Sequence, residues 1–133
     1  MNELHIDFET RSAVNLKDSG VYPYAMNPST RVLCASYAVG DGPVKTWKPG
    51  EPCPPEVLQA VAEGWTIYAH NAAFERTLWR FVLCRRHGWP EPVLSAFRCT
   101  AAMAAAMALP RDLARAAQVT GQPAQKDDEG KKV

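Results

Sequence analysis

A chain of 133 residues, 47% apolar and 22% charged, fits one soluble domain large enough to bury a real core. A net charge of only +1 excludes a generally basic nucleic-acid coat, so any contact with DNA or RNA must be local. No apolar run approaches the roughly 20 residues that span a bilayer, and Met1-Asn2-Glu3-Leu4-His5 lacks the basic-then-apolar start of a signal peptide, which suggests a cytoplasmic protein with no membrane partner.

In chain order, Leu4 to Glu9 alternates apolar and polar residues and predicts a strand. Leu4, Ile6 and Phe8 take one face, and His5, Asp7 and Glu9 the other. Thr10 to Ser29 reads as a polar, irregular connection, packed down by Val21, Tyr22 and Tyr24. Arg31 to Val39 predicts a second strand. Asp41-Gly42 is a hairpin signal that returns the chain as a strand over Pro43 to Lys48, and Pro49 to Pro54 is a turn-rich linker. A helix starts near Pro55 and ends at Gly64, with Val57, Leu58 and Val61 inward. Trp65 to Ala69 is a short buried strand.

Asn71 stands at the cap position of a helix reaching about Arg86, with Phe74, Leu78, Phe81 and Val82 inward and Gly88 as the stop. Its arginines, Arg76, Arg80, Arg85 and Arg86, read as a solvated face. Leu94 to Cys99 predicts a fifth strand, followed by an alanine-rich helix from Thr100 to Met107 whose Met103 and Met107 point to the core. Leu109-Pro110 breaks it before a helix from Asp112 to Val119. The division is a domain over 1–121 and a polar, mobile tail over 122–133. The order β-β-β-α-β-α-β-α-α predicts a mixed sheet covered by helices, an α/β fold. Cys34, Cys53, Cys84 and Cys99 are widely spaced without a CxxC pair, which favours reduced thiols over zinc or a disulfide framework.

Two segments carry candidate chemistry. Asp7 and Glu9, two apart on one strand, point the same way about 6.5–7 Å apart along the backbone. Like charges held that close repel unless a cation lies between them, and oxygen ligands suit magnesium or manganese. A bare Asp-x-Glu is nevertheless more often a pair of solvated acids. The second segment is Ala69-His70-Asn71-Ala72-Ala73-Phe74-Glu75, where a central strand meets a helix, the place ligands gather in open sheets. Glu75 falls in the first helical turn, able to face the same cleft as Asp7 and Glu9. Taken alone it is an acid favoured by the helix dipole, Asn71 a plain cap, and His70 and Phe74 core residues.

Taken together, the segments form a constellation. Asp7-Phe8-Glu9-Thr10 resembles the first motif of the DEDD exonucleases, and Asn71-Ala72-Ala73-Phe74-Glu75 resembles their second. The strings DFETRS, GVYPYA and AHNAAFER are similar to the 3′→5′ exonuclease portion of phage-type family A DNA polymerases. The resemblance runs from Leu4 to about Lys132, including Arg98-Cys99-Thr100-Ala101 and Gln125-Lys126-Asp127.

The resemblance implies an RNase H-like fold, a five-stranded mixed sheet flanked by helices. It implies proofreading chemistry with two divalent metal ions, Mg2+ or Mn2+, at the scissile phosphate. Carried over, Asp7, Glu9 and Glu75 are the catalytic metal ligands, and Thr10, Asn71 and Phe74 hold the terminal nucleotide of a single-stranded DNA 3′ end. The polymerase domain of a longer protein is the implied partner.

The chain departs from the pattern in two ways. The second motif ends in Glu75 where the family has Asp, one methylene shorter. The third motif, a Tyr or His followed four residues later by Asp, has no counterpart, since Asp112 precedes its place and Asp127 and Asp128 lie in a charged stretch. Weak or absent hydrolysis by this chain alone is therefore expected. A non-catalytic nucleic-acid-binding or degenerate RNase H-like module is the alternative, and an oligoribonuclease-like activity on RNA a third reading.

Overall fold

A computed structural model describes residues 2–106. The expected helix over 112–119, the charged tail and Met107 lie outside that range. Strand β1 is Glu3–Arg11, followed by helices α1 (Leu16–Ser19) and α2 (Val21–Met26), then strands β2 (Arg31–Val39) and β3 (Lys45–Trp47). Helix α3 (Pro55–Glu63) leads to β4 (Thr66–Ala69) and α4 (Ala72–Leu78). The latter continues as a π-helical stretch, Trp79–Cys84, and a last turn α5 (Arg85–His87). A 3-10 turn at Leu94–Ala96, strand β5 (Phe97–Cys99) and helix α6 (Thr100–Ala106) complete the described chain.

The five strands form one sheet in the order β3-β2-β1-β4-β5. β2 runs antiparallel to both β1 and β3, whereas β4 is parallel to β1 and β5 parallel to β4. This mixed sheet flanked by helices is the expected α/β architecture, consistent with an RNase H-like arrangement. Alternation along β1 works as the sequence requires: Leu4, Ile6 and Phe8 are buried, and His5, Asp7 and Glu9 face outward. The buried face joins Trp47, Trp79, Trp89 and Phe97 in a chain of edge-to-face rings, the Trp47–Trp89 centroids 5.0 Å apart.

Several elements differ from expectation, and the strand expected over Leu94 to Cys99 is confined to Phe97–Cys99, with Leu94–Ala96 forming a 3-10 turn. The Thr10–Ser29 connection is not irregular. β1 runs on to Arg11, and Asn15 Oδ1 caps α1 by accepting from Lys17 N–H at 2.9 Å. Gly20, at φ 78°, then turns the chain into α2, which buries Tyr24 and Ala25. In α3 the inward face is Val57 and Ala60 with Val61 at its margin, and Leu58 is 47% exposed. The helix after Asn71 widens into a π turn, so Trp79, Val82 and Leu83 are buried and Phe81 is displaced to the margin. In α6 the buried positions are Ala101 and Ala104, while Met103 is 47% exposed and not in the core.

One topological fact positions the site. β4 ends at Ala69, and its pairing with β1 covers Glu3, Leu4 and His5. β1 continues past that end, so Asp7 to Arg11 project beyond their parallel neighbour where α4 begins.

Candidate functional site

Asp7 and Glu9 lie exposed on the sheet face opposite the core, paired across the ladder with Ser36 and Cys34. Their charges reach Cys34, whose thiol is raised by burial first, then by Glu9 and Asp7. Glu75, in the first turn of α4, is a different kind of acid. It is 4% exposed, and its Oε2 has no hydrogen-bond partner among the described residues. Burial, then the negative charge of Asp7, pushes its carboxyl up to about 8, against opposing hydrogen bonds from the backbone N–H groups of Glu75 itself and Phe8. Two acids from separate elements thus lie within electrostatic reach of one another, one of them desolvated. Such a group is costly as a bare anion and is eased by a proton or a cation.

Glu9 does not complete a tight triad. Among the described residues, no group of three or more His, Cys, Asp or Glu side chains is arranged to hold a metal ion. The donor chemistry nonetheless suits a hard divalent cation at Asp7 and Glu75, because the unpartnered carboxylate oxygen is the ligand type Mg2+ and Mn2+ take.

Asn71 occupies the cap position with its main chain, whose carbonyl accepts from Phe74 N–H at 3.0 Å and Glu75 N–H at 3.2 Å. Its side chain does not cap α4. Phe74 is half-buried against the core, its ring 6.1 Å from that of Tyr24. Thr10 Oγ1 and the Tyr24 hydroxyl share a 2.9 Å hydrogen bond. His70 is not a core histidine. It is half-buried at the end of β4, with Nδ1 2.9 Å from Thr100 Oγ1 and its carbonyl accepting from Ala101 N–H at 3.1 Å. His70 therefore ties β4 to the start of α6.

A groove of about 250 Å³ runs beside Asp7, between His5, Ser36, Tyr68, His70 and Thr100, with the His5 and Tyr68 rings stacked at 5.0 Å. A separate cavity of about 200 Å³ lies beside Arg76, Trp79, Arg80 and Phe81, and none of the candidate site residues lines it. The arginines are only partly a solvated face. Arg80 pairs with Glu91 at 3.3 Å and Arg85 covers the Phe81 ring at 4.6 Å. Arg86 donates to the carbonyls of Thr30 and, at 3.2 Å, Asn27. The sequence gives no local sign of the Thr10–Tyr24 or His70–Thr100 pairs, which join residues 14 and 30 apart.

Over 135 aligned residues the chain is 39% identical to a DNA polymerase of Bacillus phage SP02, an alignment that takes in 98% of this chain. The chain is a relative of one segment of a phage DNA polymerase. It spans about 20% of that protein's length. No protein-family profile matches the chain.

Proposed function

We propose that the chain is the 3′→5′ exonuclease domain of a phage-type DNA polymerase, a metal-dependent hydrolase of single-stranded DNA 3′ ends. The observation that carries this reading is Glu75: a buried acid with an unpartnered oxygen, set beside Asp7 where β1 overruns β4. A fold needs no such pair for stability, and a buried carboxylate beside a like charge weakens it. The similarity to part of a phage DNA polymerase supports a substrate of DNA and a polymerase domain as partner.

In this reading Asp7, Glu9 and Glu75 hold two divalent ions, Mg2+ or Mn2+. When bound, the ions supply Lewis-acid activation of water and charge neutralisation at the phosphate. Glu75 would have to be ionised, its proton released to solvent, to serve as a ligand. Glu9, exposed on the same strand face as Asp7, would supply a further carboxylate ligand. Thr10, Asn71 and Phe74 surround the terminal nucleotide, and Phe74 offers a ring on which any base can stack.

A second reading, a non-catalytic nucleic-acid-binding module, is favoured by the absence of a three-acid cluster among the described residues. Incubation of 5′-labelled single-stranded DNA with the chain and Mn2+ separates the two. The nuclease reading expects slow shortening from the 3′ end, abolished in Asp7→Ala. Binding without shortening assigns the chain to the module, and cleavage indifferent to Asp7→Ala places the activity elsewhere.

A further inference from the structure

Tyr24 lies outside both motifs and touches a residue of each. Its hydroxyl bonds Thr10, the neighbour of Glu9, and its ring lies 6.1 Å from Phe74, the neighbour of Glu75. The side chain is 7% exposed, and burying a hydroxyl costs stability unless it is bonded. Phenylalanine would fill the same space without that cost, so packing alone does not call for a tyrosine. Thr10 is also where the ladder between β1 and β2 shifts, with a bulge between Glu9 and Thr10. Regular pairing therefore does not fix the Thr10 side chain, and the Tyr24 hydroxyl does.

Tyr24 is itself held from behind. The buried Thr30 hydroxyl donates to the Tyr24 carbonyl and lies 2.7 Å from Ser12 Oγ. Arg86 reaches from α5 to the carbonyls of Thr30 and Asn27, which straps α2 to the end of the α4–α5 helical run. This tether joins residues 56 and 59 apart in sequence, so α2 is anchored on the same helical run that carries Phe74 and Glu75.

We propose that Tyr24 is a positioning residue that couples Thr10 on β1 to Phe74 on α4, so that both grip a DNA 3′-terminal nucleotide as one unit. This rests on the exonuclease reading above. It adds a role for the β1–β2 connection, which carries none of the site acids.

The test is a titration of the whole chain, with Ca2+ as the non-turnover metal, into two short single-stranded oligonucleotides. One carries 2-aminopurine at its 3′ end and the other at its 5′ end. Tyr24→Phe is expected to weaken the 3′-probe response about three- to tenfold, the size of one lost hydrogen bond. The 5′-probe response stays unchanged. Thr10→Val removes the same bond from the other side and gives the same loss, and the double variant loses no more than either single one. Thr10→Val also serves should Tyr24→Phe fail to fold. Parent-like 3′ affinity in Tyr24→Phe, equal loss at both probes, or additive losses in the double variant would overturn the coupling. If the parent chain responds at neither probe, the exonuclease reading fails, and this role fails with it.

Discussion

Glu75 shows how one residue can report a site through its energetics. Its carboxyl is pushed up from 4.5 to about 8, so the folded state holds a proton that the unfolded chain releases. The stability this proton confers is fully present below pH 4.5 and is lost as pH rises toward 8. Urea unfolding of the metal-free chain should therefore show stability falling by a few kcal/mol across that interval. In Glu75→Gln the decline should flatten, leaving a variant more stable than the parent above pH 8. A parent chain with no decline would mean that Glu75 is solvated. Protons and divalent cations compete for the same oxygens, so Mn2+ should raise the melting temperature more above pH 8 than below it. At this scale the sequence was informative. Asp7 and Glu9 follow from strand alternation, and the first-turn position of Glu75 follows from the Asn71 cap. Its burial did not follow, because it depends on how far β1 outruns β4.

At the scale of elements, strand positions were legible because strand alternation and turn residues act locally. Arg31–Val39 is a strand as read, and Gly64, at φ 68°, ends α3 in the left-handed conformation that glycine accommodates. The helices were less legible. The inward stripe Phe74, Leu78, Phe81 and Val82 assumed 3.6 residues per turn, and the π stretch at Trp79–Cys84 changes that period. The choice is made by tertiary packing, where Trp79 donates its indole N–H to the Pro90 carbonyl at 2.8 Å and joins the tryptophan cluster. Substitution distinguishes the two registers. Leu83→Ala should cost about 2–5 kcal/mol in urea unfolding, as a fully buried leucine does. Phe81→Ala, at the margin, should cost clearly less. A larger cost for Phe81→Ala would restore the continuous α-helical stripe. The helices α1 and α2 leave little trace in the sequence for a related reason. Each is too short for periodicity to show, and the signals present, Asn15 as a cap and Gly20 as a turn, are single residues.

For the whole molecule, the sheet brings together what the sequence separates. Asp7 and Glu75 lie on β1 and α4, and they meet because β4 lies parallel to β1 and hands the chain to α4 beside the free length of β1. The chain is similar to a segment that makes up about 20% of a phage DNA polymerase. We propose that Asp7 and Glu75 form a divalent-metal site. Isothermal titration of the chain with Mn2+, above pH 8 where Glu75 is ionised, tests it most directly. Saturable binding heat is expected in the parent and is lost in Asp7→Ala and in Glu75→Gln, both still folded by circular dichroism. No heat in the parent, or the same heat in all three proteins, would contradict it.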